Sequence, residues 1–274
     1  MWMLAGRNDL DFLLNFNKGF GNYSDDGVTV RGSAYGVRWR HWFRKDQIEE
    51  VIAELSNPET RRAVVSQWSP EDLHLNSKDV PCNLQTLFLV RNGHLDMTVT
   101  NRSNDLVYGM YGSNIVHFTI LHQYIAARVN IPVGIYRQVS NCLHTYVENP
   151  VVLRLNEALG NTVCKEVVPE VLVAQNSGEA LTLFSHIEEF FRHYDFHRAN
   201  GCDGMTALAH AVDGTSRLQT IMQIGPVMFF DVFWAMMQGY TVWKKHNVVD
   251  IYLKKCGGGF CAAAIATIER SGNK

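Results

Sequence analysis

The tightest local constraint on this chain is the dipeptide Asn92-Gly93, which stands between two strand-like runs, Leu84 to Val90 and His94 to Asn101. Both residue types tolerate the left-handed backbone of a two-residue turn, so the runs are expected to pair as an antiparallel hairpin. Leu95, Met97 and Val99 alternate with polar residues, so one face is buried and needs a covering layer. Helices can supply it. Asp46 reads as an N-cap, with Glu49 three residues on as in a capping box and Ile48, Val51, Ile52 and Leu55 as the apolar stripe. Asn57-Pro58 ends that helix, and a second runs from Ser113 or Asn114 to Arg128 with a wide apolar face. Arg62 to Trp68 and Tyr136 to Val147 read as further strands. Met1 to Leu14, Thr182 to Arg198 and Pro226 to His246 read as helices, and Gly257 to Gly259 breaks the pattern before a short final one. The class is α+β with a helical C-terminal part. No repeat or low-complexity linker interrupts it, so residues 1–274 read as a single domain. Trp2 and Leu4 are core-type residues at the very start, so the N-terminal part of the domain is expected to be missing from this sequence.

Composition excludes several functions. With 46% hydrophobic and 19% charged residues in 274, a packed core is expected and a disordered chain is not. The 25 basic and 27 acidic residues nearly cancel, so no nucleic acid partner is expected, although a local cationic pocket remains open. The most apolar stretch, Val227 to Met237, is short and carries Asp231, so no membrane is expected. No secretory pattern opens the chain, and a cytoplasmic protein, of a bacterium or a phage-infected host, is the expectation. None of the six cysteines forms a Cys-x-x-Cys pair, so reduced thiols and no metal are expected.

Cys82 follows Pro81 at the mouth of the first hairpin strand. It reads either as a nucleophile whose pKa nearby arginines depress or as a buried structural thiol. Arg31, Arg38, Arg40, Arg44, the tandem Arg61-Arg62, and Arg102 beside Ser103 gather around it in sequence. They suit a phosphate, or are solvated surface charges. His144 and Tyr146 alternate on a strand and so face one way, as a hydroxyl-binding or structural pair. His193 and His197 have i, i+4 spacing that can bind a metal, but the flanking arginines favour a solvated face.

In order, Ala34-Tyr35-Gly36, Arg38-Trp39-Arg40, Asp46-Gln47, Asn57 to Arg62, Trp68, Pro81-Cys82, Asn101 to Asp105, Gly109, Asn114 and His144-Thr145-Tyr146 resemble thymidylate synthase over residues 2 to 150. The resemblance implies that family's fold, a mixed sheet flanked by helices. It also implies one-carbon transfer from 5,10-methylenetetrahydrofolate to C5 of a pyrimidine nucleoside monophosphate such as dUMP. Cys82 would be the nucleophile that adds to C6, with Tyr35 near it. Arg61, Arg62, Arg102 and Ser103 would hold the phosphate, the tandem arginines reaching the partner's site in a homodimer. Asp105 would hold the folate pterin, Asn114 would read the pyrimidine edge, and His144 and Tyr146 would contact the sugar hydroxyl. The chemistry is coherent: C5 of uracil is a poor nucleophile until a thiolate adds at C6.

The sequence also departs from the synthases. Asn83 follows the cysteine where they have His, Asn104 replaces a Cys, and one extra residue lies between Gly109 and Asn114. Arg102-Ser103-Asn104-Asp105, with Gln138 to Asn141 ahead of His144, is more similar to the phage-type hydroxymethylase branch, in which water rather than hydride quenches the intermediate. No closing apolar tail follows Ile268, which favours hydration. Hydroxymethylation of dUMP is therefore the leading expectation. Methylation to dTMP, and a silent nucleotide- or RNA-binding relative, are the alternatives.

Overall fold

A computed structural model describes residues 1–149, 152–153 and 173–222. The expected helix at Pro226 to His246, the glycine run at Gly257 and the apolar stretch from Val227 lie outside the described residues. Among the described residues, no helix is long and apolar enough to cross a membrane.

The N-terminal stretch is less helical than its composition suggests. Gly6 takes φ +67, and only Leu10–Leu14 (α1) is regular, starting where the Asp9 carboxylate accepts from Phe12 N. Tyr35–Val37 forms a helical turn (α2). Gln47–Glu54 (α3) begins at Asp46, which accepts from Ile48 N and Glu49 N. The expected capping box is only half made, because Glu49 reaches out to Arg128 instead (2.6 Å). Ile48 and Val51 face the core.

Strand β1 covers only Val64–Ser66. The hairpin is as expected: β2 (Asn83–Arg91) and β3 (His94–Asn101) pair antiparallel about Asn92 (φ 51) and Gly93 (φ 76). The extended reading from Tyr136 to Val147 is corrected. Strand β5 runs Val133–Ser140, the chain turns at Asn141 and Cys142, and a two-residue strand β6 (Leu143–His144) leaves the main sheet to pair with β4 (Asn104–Asp105). The main sheet has the order β1-β2-β3-β5, with β3 and β5 parallel and the other pairs antiparallel, so it is mixed.

A parallel neighbour needs a crossover, and α4 (Asn114–Arg128) is that crossover between β3 and β5. Phe118, Leu121, Tyr124 and Ile125 are buried, and His122 donates to Leu95 O (2.6 Å), which ties the helix to β3. Phe118 packs its ring against Tyr35 and Trp39.

Two further helices are α5 (Ser177–Ala199) and α6 (Gly204–Met222), the first beginning five residues earlier than expected. The chain divides into two compact units: Met1–Val168 with Gln175–Ala180, and Pro169–Ala174 with Leu181–Lys274. The first holds the mixed sheet and α1 to α4. The second holds α6 and most of α5, with a core that includes Ile187, Phe190, Tyr194, Leu208 and Ala211.

Candidate active site

Cys82 is the residue before β2, and its backbone is fixed from two sides. The buried Tyr35 hydroxyl accepts from Cys82 N and Asn83 N, both at 3.2 Å. Arg102, just past β3, donates Nε to Pro81 O (2.8 Å) and Nη2 to Val80 O (3.2 Å). Its Nη2 lies 3.9 Å from the Cys82 sulfur, and its guanidinium lies over Trp68.

The thiol's electrostatics run against a depressed pKa in the single chain. Burial pushes the Cys82 pKa up and outweighs the pull of Arg102, with Asp79 adding a smaller push in the same direction. One guanidinium shared with two carbonyls does not offset desolvation of the thiolate. Tyr35 is pushed well above its ordinary range, first by burial, so its phenol stays protonated.

The short β4–β6 pairing assembles most of the remaining candidates. It sets Asp105 beside His144 in register, with Arg102 and Ser103 immediately ahead of β4. His144 and Tyr146 meet edge to face, ring centroids 5.3 Å apart, although Tyr146 lies beyond the strand. The Ser103 hydroxyl has no hydrogen-bond partner among the described residues. One oxygen of Asp105 caps the turn that follows, accepting from Val107 N and Tyr108 N, while Oδ2 is buried without a partner.

That turn, Leu106–Ser113, is a wide π-type turn kinked at Gly112, and it delivers Asn114 to the start of α4. A π turn is how a helix absorbs one additional residue, which accounts for the extra one before Asn114. Asn114 Nδ2 approaches Asn104 Oδ1 at 3.5 Å. Gly109 is needed there: a Cβ on it would come within 2.3 Å of Asn104 Oδ1.

In the sequence Asn83 and Asn104 stand as isolated departures, and the structure joins them. Asn104 Nδ2 donates to Gln138 Oε1 (2.9 Å) and to Ser140 Oγ (3.1 Å). Asn101 Nδ2 donates to the same hydroxyl (3.3 Å), and Asn83 Nδ2 donates to Asn101 Oδ1. Gln138 Nε2 reaches Met110 O (3.3 Å), in the π turn. A continuous amide ladder thus runs from the residue after Cys82 to the residue that opens α4. Asn83, Asn101 and Asn104 are all buried, and Asn83 Oδ1 and Asp105 Oδ2 are left without partners. Buried acceptors without donors mark a place where a ligand or water completes the bonding. The signal in the sequence was four amides and a serine at inward strand positions.

Arg38 and Arg40 are committed elsewhere. Arg38 is fully buried in a two-pronged pair with Asp72 (2.7 and 2.9 Å), and Arg40 pairs with Asp46 (2.6 Å) and Leu4 O. They are neither anion ligands nor solvated charges, which corrects both readings. Arg61 and Arg62 are exposed. Phe88 N bonds Ala63 O, six residues along β2 from Cys82, so the tandem arginines lie about 20 Å from their own chain's thiol at the rise of an extended strand.

The family model described as thymidylate synthase matches residues 1–195. The deoxyuridylate hydroxymethyltransferase of Pseudomonas phage M6 is 52% identical over 151 residues, covering 54% of this chain and 43% of that protein. That of Bacillus phage SP01 is 39% identical over 162 residues, covering 54% of this chain and 42% of that protein. The chain spans about half the length of the curated relatives it matches or less. The crystal structure of thymidylate synthase from T4 phage superposes with a TM-score of 0.53 at 24% identity, over 68% of this chain and 70% of that one, which establishes the likeness of fold.

Proposed function

This chain belongs to the thymidylate synthase family, and from that premise we propose that it transfers a one-carbon unit to C5 of dUMP as a hydroxymethyl group, through a covalent adduct on Cys82. The observation that carries the reading is the convergence of Cys82, Arg102, Asp105, Asn114, His144 and Tyr146 around one short β4–β6 pairing, in a chain whose matched phage relatives are named deoxyuridylate hydroxymethyltransferases.

In this reading Arg102 and Ser103 bind the phosphate, and His144 and Tyr146 contact the sugar hydroxyl. Asn114 accepts from uracil N3–H and donates to O4. The Cys82 thiolate bonds to C6, the C5–C6 electron pair moves toward O4, and C5 becomes nucleophilic. 5,10-Methylenetetrahydrofolate supplies a one-carbon unit at the oxidation level of formaldehyde. The chain's residues fit that group, because the unpartnered Asp105 Oδ2 is a buried acceptor of the kind a pterin N–H needs. C5 bonds to the one-carbon unit, C5 gives up its proton, and the carbon–nitrogen bond to the folate breaks, so tetrahydrofolate leaves unoxidised; water then adds to the exocyclic methylene as C6 releases the thiolate.

The reading includes a homodimer. Ile135 and Val139 project from one side of β5, and Val64 stands on the same side of the sheet through the pairings Val64↔Leu87, Leu87↔Thr98 and Thr98↔Arg137. All three are exposed, and an apolar sheet face calls for a covering layer. A second copy covers it, and Arg61 and Arg62, just ahead of Val64, then serve the neighbouring site.

The test is to incubate the chain with dUMP and 5,10-methylenetetrahydrofolate and analyse both products. 5-Hydroxymethyl-dUMP without dihydrofolate is expected. dTMP with dihydrofolate would replace hydroxymethylation by methylation, and the absence of either product would leave a nucleotide-binding relative.

A further inference from the structure

We propose that His197, Cys202 and His210 form a Zn²⁺ site that clasps α5 to α6. The side-chain donor atoms of these three residues all lie within 4.8 Å of one another. Tetrahedral zinc with two imidazoles and one thiolate holds its donors roughly 3.3–3.6 Å apart, so closure needs side-chain shifts of about 1 Å.

The backbone presents the three donors together. His197 lies in the last turn of α5. Gly201 takes φ +85, a conformation that suits glycine, and turns the chain back. Cys202 N then donates to His197 O (3.1 Å), and Arg198 Nη1 donates to Cys202 O (2.6 Å), so the cysteine is pinned beside the helix end. Asp203 caps the next helix by accepting from Thr206 N, and α6 carries His210 back past His197. The two imidazoles stack with centroids 4.2 Å apart and planes 19° from parallel, so a shared ion requires the rings to rotate out of the stack until their in-plane lone pairs converge. Among the described residues, neither ring has a hydrogen-bond partner, so their lone pairs are available.

His193, one turn earlier, is committed elsewhere. Its Nε2 lies 3.1 Å from Glu189 Oε1, and its ring packs where a Cβ on Gly214 would come within 2.9 Å. The site therefore offers two nitrogens and a thiolate with the fourth position open to water. A mixed nitrogen and sulfur set suits Zn²⁺ and not the oxygen-seeking Mg²⁺ or Ca²⁺. The sequence expectation of no metal rested on the absence of any Cys-x-x-Cys pair, and a set with one cysteine and histidines five and eight residues to either side escapes that criterion. All three lie beyond residue 195, where the family match ends, so the site stands or falls independently of the proposed reaction.

The experiment titrates the reduced, chelator-treated full chain with Co²⁺. One equivalent is expected to bind, with a near-ultraviolet thiolate-to-cobalt band and the visible bands of tetrahedral coordination, both bleached by one equivalent of Zn²⁺. Cys202→Ser should abolish the near-ultraviolet band, while Cys82→Ala keeps it. His210→Asn alters an exposed side chain and should weaken Zn²⁺ binding at least tenfold in a competition titration, with circular dichroism unchanged. No stoichiometric binding by the unaltered chain would overturn the proposal. So would a band that survives in Cys202→Ser, or an affinity that His210→Asn leaves intact.

Discussion

Cys82 is held between opposing influences, and their balance sets when it can react. The thiolate is the nucleophile, burial raises the thiol pKa, and Arg102 at 3.9 Å lowers it by less. Alkylation of the unliganded protein by iodoacetamide should therefore rise with pH through an inflection above that of an ordinary cysteine. Arg102→Gln removes the downward influence of the thiol's own chain, so the inflection should move higher and the rate at pH 8 should fall. An inflection below the ordinary thiol range would mean that Arg102 dominates burial. The sequence made Cys82 and Arg102 visible as neighbours of chemistry but not the sign of their balance, because desolvation depends on packing around the sulfur. The same holds for Arg38. Its buried pair with Asp72 has both side chains at 0% exposure, and nothing in the local sequence distinguishes it from a surface arginine. Removing one partner leaves the other charge buried, so Asp72→Ala should cost about 3–5 kcal/mol in urea denaturation, with the transition still cooperative.

The elements that were legible in the sequence are those encoded by neighbours. Asn92-Gly93 specifies its hairpin and Asp46 specifies the start of α3, since each acts within a few residues. The β4–β6 pairing was not legible. It joins residues some forty apart, and each strand is two residues long, too short for periodicity to register. The amide ladder depends on that pairing and on the parallel register of β3 with β5, so it was equally hidden. It bears on base choice if Asn114 reads the pyrimidine. The contact to Asn104 Oδ1 orients the Asn114 carboxamide with its oxygen left to accept, and Gln138 anchors Asn104 in turn. Gln138→Leu leaves a buried amide donor short of an acceptor, a cost on the order of 1–3 kcal/mol. Its kcat/KM for dUMP should fall about tenfold or more. Asn114→Asp cannot donate to Asn104 or to uracil O4, and should move the ratio of kcat/KM values toward dCMP. Unchanged ratios in both variants would remove the ladder and Asn114 from base selection.

At the scale of the whole molecule, the question is whether one chain holds a complete site. The first unit brings Cys82, Arg102, Asp105, Asn114, His144 and Tyr146 together by its own hydrogen bonds and strand pairing, and it leaves Arg61 and Arg62 about 20 Å along β2. The exposed Val64, Ile135 and Val139 lie on one side of the same sheet, and Arg62 precedes that side's edge by two residues. In the proposed homodimer, a twofold interface over this face would present the same patch from both copies and offer each site the other's arginines. Two inactive variants distinguish this arrangement from a self-sufficient chain. In the proposed reaction, Cys82→Ala would lack the nucleophile but keep Arg62, and Arg62→Glu would keep the nucleophile but repel phosphate. In a mixed dimer one site combines Cys82 from one copy with Arg62 from the other, and the second site carries both defects. After equal mixing and full exchange, half of the dimers are mixed and half of their sites are intact, so activity should return to about a quarter of that of the unaltered protein. Subunit exchange is verified by mass labels on one variant. Exchange without recovered turnover, while each parent variant stays inactive alone, would show that Arg62 serves the site of its own chain.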